Sequence, residues 1–347
     1  MKTKNPIFYL PVLFGLFFTA CKKDKSAEAA KKLYVLTIEV NSATENTFIR
    51  YVADGVSKTI ADGVTETAFA DDMEVEGPDV YILANRESIE SGTRNMVVYK
   101  NGSALYTLPY SDNFRPNCMA IQGTNVYLAG TGNDGVSGNR IKLWKNGVLS
   151  DITDGTNNVR VYDMQVNGND VYLAGLEYNP NSGYQQAKYW KNGTGVILSA
   201  GTGQETQGEL HRILVKGTDV YCSGMINGKP TQWKNAEATP LSTEYGTCYG
   251  IAVSGTDVYA AGTVQTGNTY QAVYWKNGTQ VSLSNSTTAP DGASVFGIGT
   301  DGTDVYVVGS IELGSNVSKG VYWKNGVQNI IPVTGLNKSY GYRMVFK

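Results

Sequence analysis

Histidine is almost missing from this chain of 347 residues, where His211 is the only one. A metal centre built from several imidazoles is therefore excluded, and a Ser-His-Asp triad could form only around that one residue. No Gly-x-Ser-x-Gly elbow marks a nucleophile. Cysteine is scarce too: four occur, and beyond Cys21 the odd set Cys118, Cys222 and Cys248 lacks the paired spacing of a zinc site. Buried free thiols are the expectation for those three. Charged residues make up 17% of the chain and the formal net charge is −2, which leaves no basic footprint for nucleic acid. Long amphipathic periodicity is also absent, so helices are not expected. Nothing in the chain calls for a cofactor or a metal.

What is present is a repeat, and a repeat fixes architecture before it says anything about chemistry. Its best copies read Gly-Thr-Asp-Val-Tyr, then Ala-Gly, a polar stretch and Tyr-Trp-Lys-Asn-Gly. Seven tyrosines mark it, Tyr34, Tyr81, Tyr127, Tyr172, Tyr221, Tyr259 and Tyr306, spaced 47, 46, 45, 49, 38 and 47 apart. Around each, residues alternate as in half-buried strands. Asn-Gly is the strongest short hairpin signal because both central positions of a type I′ turn need positive φ. It recurs at Asn101, Asn146, Asn192, Asn277 and Asn325, with Asp54-Gly55 in the first unit and the weaker Asn235-Ala236 in the fifth. Eight residues before the tyrosines stand Met73, Met119, Met164, Ile213, Ile251 and Ile298, the apolar face of one more strand per unit.

The first unit, from Leu33, has nothing ahead of it to serve as an innermost strand. Tyr342-Arg343-Met344-Val345-Phe346 supplies the pattern, with Met344 in the Met/Ile column. The expected fold is an all-β, seven-bladed β-propeller over residues 33–347, closed by this C-terminal innermost strand joined to three N-terminal strands; the span gives 45 residues per blade. Closure removes the exposed edge an open array would leave. Trp144, Trp190, Trp233, Trp275 and Trp323 share one column with Tyr99 and Val52, which reads as packing between adjacent blades.

Residues 1–20 read as a targeting segment: Lys2 and Lys4 form a basic start, residues 7–18 an apolar core and Thr19-Ala20-Cys21 a cleavage site. The segment resembles a bacterial lipoprotein signal, with Phe18 where that motif prefers leucine. The resemblance implies acylation of Cys21, a polar tether over residues 21–32 and, with Lys22 after the cysteine, sorting to the outer membrane of a Gram-negative cell. An ordinary secretory signal and an uncleaved anchor are the rival readings. Removal of the segment takes away two lysines and no acid, moving the net charge from −2 to −4. The repeat units resemble the Tyr-Trp-Lys-Asn-Gly propellers of Gram-negative lipoproteins, a family that brings no assigned activity. The signatures of kelch, WD and sialidase-like repeats are absent.

Function is sought where the repeats differ. The column ten residues before the tyrosines reads Asp71, Asn117, Tyr162, His211, Tyr249 and Phe296, with Tyr342 in the closing blade. The next reads Asp72, Cys118, Asp163, Arg212, Gly250 and Gly297, with Arg343. Together with Arg115 and Arg160 these positions are expected to ring the mouth of the central channel. Two readings follow. One is a monomeric, membrane-anchored module that binds a glycan, peptide or protein there, through Asp71, Asp72, Arg115, Asp163, His211, Arg212, Tyr249, Tyr342 and Arg343. The other is a carbohydrate-active enzyme, lyase or hydrolase, in which His211 or Tyr249 is the base, Arg212 or Arg343 neutralises a uronate, and Asp72 or Asp163 orients the sugar.

Overall fold

In the computed structural model the described residues are 32–346, apart from 42, 54, 112, 134, 136, 137, 199–206, 285, 286, 288, 315, 316 and 334–337. Cys21, the targeting segment, residues 21–31 of the tether and Asp54 of the first turn lie outside them. The period-two alternation becomes strands throughout, joined by tight turns. The first unit contributes β1 (Leu33–Val40), β2 (Thr47–Ala53) and β3 (Val56–Ala61), and the second β4 (Glu66–Glu76), β5 (Asp79–Ser88), β6 (Arg94–Lys100) and β7 (Ser103–Pro109). The third holds β8 (Arg115–Gln122), β9 (Asn125–Gly132), β10 (Arg140–Lys145) and β11 (Val148–Asp151). The fourth holds β12 (Val159–Asn167), β13 (Asp170–Tyr178), β14 (Gln185–Lys191) and β15 (Thr194–Ile197). The fifth holds β16 (Gly208–Lys216), β17 (Asp219–Ile226), β18 (Lys229–Lys234) and β19 (Glu237–Pro240). The sixth holds β20 (Gly246–Ser254), β21 (Asp257–Thr266), β22 (Thr269–Lys276) and β23 (Thr279–Ser282). Last come β24 (Ala293–Thr300), β25 (Val305–Glu312), β26 (Ser318–Lys324), β27 (Val327–Ile330) and β28 (Lys338–Phe346).

The second to sixth units each form an antiparallel four-stranded sheet. The remaining strands make one eight-stranded sheet, in which β24 to β27 meet β28-β1-β2-β3 through a single parallel pair, Ser318 with Lys338. β28 pairs antiparallel with β1 along its whole length, from Leu33 opposite Phe346 to Val40 opposite Lys338. The first strand of each sheet contacts the first strand of the next, and β28 contacts β4.

A repeated clasp explains why the marking phrase recurs. In the fourth unit Asn192, at φ +49°, accepts the Val171 N–H at 2.8 Å through Oδ1 and donates from Nδ2 to Asp170 at 2.7 Å. Lys191 meets the other oxygen of Asp170 at 2.8 Å and covers the Tyr172 ring at 5.2 Å. The side chains of Asp-Val-Tyr and Lys-Asn-Gly thus hold the turn of one hairpin against the start of its neighbour. The same contacts return at Asn101, Asn235, Asn277 and Asn325.

The core lies between sheets. Trp190, Trp233, Trp275 and Trp323 are among the largest fully buried side chains, and Trp144 is 6% exposed. Trp190 packs with Tyr127, Ala129 and Ile141 of the preceding unit, and Trp233 with Tyr172, Ala174 and Ala187. Each such side chain removes on the order of 200 Å² from water, so the tryptophan column is the main adhesive between neighbouring sheets. Cys118, Cys222 and Cys248 are free and buried, and burial pushes the Cys248 thiol up to about 12.

Candidate functional site

Each innermost strand carries one irregularity at the same place. The ladder slips between Ala70 and Asp72, Pro116 and Cys118, Val161 and Asp163, Leu210 and Arg212, Cys248 and Gly250, and Val295 and Gly297. In the C-terminal strand it slips between Gly341 and Arg343. The extra residue of each bulge is therefore Asp71, Asn117, Tyr162, His211, Tyr249, Phe296 or Tyr342. A bulge leaves its extra residue outside the ladder and re-aims its side chain. Here all seven side chains line one cavity of about 360 Å³, which Arg212 joins.

The bulge also accounts for the glycine of the Ala-Gly phrase, a requirement not evident in the sequence. Gly130, Gly175, Gly224, Gly262 and Gly309 stand opposite the slip. A Cβ on Gly175 would lie 1.9 Å from the Arg160 carbonyl oxygen, and Gly224 meets Glu209 in the same way. Glycine three residues after the marking tyrosine is the signal that could have located the bulges; two of the seven units depart from it, with Ala84 opposite Ala70 and Thr37 opposite Gly341.

Five of the seven bulge residues are aromatic. The Tyr162 and His211 ring centroids are 5.4 Å apart, those of His211 and Tyr249 4.8 Å, and those of Phe296 and Tyr342 5.5 Å. His211 Nε2 faces Glu209 Oε1 at 3.1 Å, close enough to form an ion pair when the imidazole is protonated, though not aligned for a hydrogen bond. Burial raises the phenol pKa of Tyr162, Tyr249 and Tyr342, with Glu209 adding to the effect at Tyr162 and Asp71 at Tyr342, so these hydroxyls stay neutral. Asp71 and Asn117 complete the ring side by side, and each keeps a buried oxygen, Oδ2 and Oδ1, without a hydrogen-bond partner in the structure. Burial, reinforced by neighbouring Asp72, pushes the Asp71 carboxyl up to about 7.

Of the second column only Arg212 reaches the mouth cavity, and the charges of that column pair with one another. Arg343 Nε is 2.7 Å from Asp72 Oδ1, and its Nη2 is 3.2 Å from Asp163 Oδ1. Arg212 Nη1 stands 3.7 Å from the same Asp163 oxygen, while its Nη2 donates to the Phe296 carbonyl at 3.4 Å. The aspartates also tie strands together: Asp72 accepts the Met119 N–H at 2.8 Å and Asp163 the Ile213 N–H at 2.9 Å, each from the next sheet. Burial works against the Arg343 charge, but Asp72 and Asp163 outweigh it and hold the guanidinium pKa above its ordinary value. These groups form a buried floor. Beyond it, toward the other ends of the same strands, lies a second cavity of about 380 Å³ lined by Asp163, Arg212, Arg343 and largely apolar side chains.

Of the residues expected at the mouth, the structure thus brings together Asp71, His211, Arg212, Tyr249 and Tyr342, with Asn117, Tyr162 and Phe296. Asp72, Asp163 and Arg343 belong to the floor. Arg115 lies apart, stacked on Tyr110 at 4.9 Å in a cleft with Thr131, Asn133 and Asn139. Arg160 is exposed and hydrogen-bonds with the Tyr162 hydroxyl. His211 and Tyr249 adjoin in the cavity, but the arginine and aspartates that would complete a uronate site with them are, apart from Arg212, committed beneath it.

No family model and no curated protein matches the chain. Solved structures do. A puromycin-hydrolysing peptidase of Mycobacterium tuberculosis is similar at TM-score 0.56 and 10% identity, over 89% of this chain and 53% of its own. One of two prolyl endopeptidases gives 0.54 and 9%, over 87% and 49%, so the chain spans about half the length of these peptidases. The β-propeller domain of the Trilobed protease from Pyrococcus furiosus, described as having an open velcro topology, gives 0.53 and 8%, over 88% and 93%. Likeness at such identities concerns the fold alone. It identifies an all-β protein of four-stranded sheets in the manner of a β-propeller.

Proposed function

We propose that this chain is a seven-bladed β-propeller closed between its two ends, and that it is a non-catalytic binding protein whose ligand, a glycan or peptide segment, sits at the mouth of the central channel. Closure is supported by the β1–β28 ladder and by the contact of β28 with β4, and it contrasts with the open velcro topology described for the Pyrococcus domain. One observation carries the binding reading: seven bulge residues, one from each innermost strand, converge on a single cavity. Structural positions elsewhere in the repeat keep one residue type, whereas this ring holds Asp, Asn, Tyr, His, Tyr, Phe and Tyr. Aromatic walls with a few convergent polar groups are the composition of a ligand pocket. The lipoprotein signal makes the protein an exported one, anchored to the outer membrane through Cys21.

Two experiments test this. A glycan and peptide binding screen on the full-length chain in detergent is expected to return a ligand whose affinity falls at least tenfold in Tyr249→Ala; a ligand indifferent to that change moves the site to the connecting loops. Replacing Cys21 with Ser is expected to move the protein from the membrane to the soluble fraction, and retention in the membrane overturns the lipid anchor.

A further inference from the structure

The mouth cavity is chemically lopsided. Its cation, Arg212, is already engaged with Asp163, the Phe296 carbonyl and the His211 carbonyl at 3.2 Å. Glu209 faces His211 and the Tyr162 hydroxyl, the latter at 3.5 Å. Asn117 spends its amide on the Val161 carbonyl at 2.6 Å. Beside His211 Nε2, which faces Glu209, two buried acceptors on neighbouring strands have no hydrogen-bond partner: Asp71 Oδ2 and Asn117 Oδ1. The charged neighbour that acts on Asp71 is Asp72, of the same sign. An unsatisfied buried acceptor is destabilising, a charged one more so, and calls for an explanation. Around the acceptors stand His211 and the rings of Tyr162, Tyr249, Phe296 and Tyr342, and such phenol and phenyl rings attract cations to their faces.

Resting on the binding reading above, we infer that the mouth cavity receives its ligand through a primary ammonium group, with Asp71 and Asn117 accepting its N–H bonds and the aromatic ring enclosing its charge. An ammonium has three donors and no acceptor, the complement of two orphaned oxygens. A carboxylate would meet Asp71 as a like charge, and a neutral alcohol would leave that charge uncompensated.

Ligand-observed NMR titration of the full-length chain at pH 8 with n-butylammonium, 1-butanol and pentanoate tests the inference. Butylammonium is expected to bind at least tenfold more tightly than either, and Asp71→Asn to remove the advantage without lowering the melting temperature. Asn117→Leu is a second probe that removes the other acceptor and is expected to weaken the amine several-fold. Glucosamine and Nα-acetyl-lysine methylamide then distinguish a sugar from a peptide as the source of the amine. Equal binding of butylammonium and butanol, preference for pentanoate, or indifference to Asp71→Asn overturns the inference. If neutral sugars or uncharged peptides bind and lose affinity in Tyr249→Ala while amines do not bind, the mouth remains the site and only the ammonium reading falls. If no probe of either kind binds, both fall.

Discussion

Arg343 on the C-terminal strand places Nε 2.7 Å from Oδ1 of Asp72 on β4, although the two residues stand near opposite ends of the described chain. Their contact joins the strand that pairs with β1 to the sheet that follows it, and Asp163 widens the contact to β12. Arg343→Leu would leave Asp72 buried without its counter-ion and Asp163 with Arg212 alone. Loss of one partner from a buried ion pair costs about 3–5 kcal/mol. A urea denaturation midpoint within experimental error of the parent would show that the floor does not hold the sheets together. Asp72→Asn is expected to cost less, because an amide oxygen can still accept the Met119 N–H.

Asp71 links the cavity to pH. Its carboxyl is raised to about 7 by burial and by Asp72, so the fold disfavours the ionised form that the unfolded chain adopts from about pH 4 upward. The contribution of Asp71 to stability therefore falls as pH rises from about 4 to 7 and is lowest above that window. Asp71→Asn is expected to raise the melting temperature at pH 8 and to leave it nearly unchanged at pH 4. An equal change at both pH values would assign the effect to shape and not to charge.

Backbone conformation offers a matched pair of substitutions. Ala236 occupies φ +71° at the turn position where the other Asn-Gly turns have glycine, as with Gly193 at +86°. Ala236→Gly is expected to stabilise by about 1 kcal/mol, the cost of holding a Cβ in the left-handed region. Gly175→Ala should do the opposite, by about 2–4 kcal/mol, because the new methyl meets the Arg160 carbonyl oxygen. If Gly175→Ala proves neutral in thermal unfolding, the bulge does not need its glycine.

Deleting residues 339–347 removes nearly all of β28 and bares β1. The expected result is loss of cooperative unfolding, with exposed apolar surface detectable by dye binding. A melting temperature within a couple of degrees of the parent would mean that the terminal strand is a dispensable tail.

Much of this was legible in the sequence, and for physical reasons. Asn-Gly has few conformations to choose from, so Asn101, Asn146, Asn192, Asn277 and Asn325 announce their turns, and period-two alternation announces the strands between them. Membership of the first column could be counted off from the tyrosines. The slip in a ladder was legible only through the glycine that faces it, since a bulge leaves the alternation on either side of it intact. The pairing of Arg343 with Asp72 and Asp163 could not be read, because ion pairs between distant strands leave no local spacing. Hence adjacent columns, expected to share one rim, separate into a cavity wall and a buried floor.

The bulge divides labour within each strand. In most units the conformational demand falls on the glycine across the ladder, while the displaced residue has no partner in its own ladder. Exchange at Asp71, Asn117, Tyr162, His211, Tyr249, Phe296 or Tyr342 can therefore alter the lining of the cavity while the ladder around it stays as it is. The chain carries seven such positions on a common frame, so the chemistry of the cavity lining can change through a handful of substitutions that leave the ladders in place.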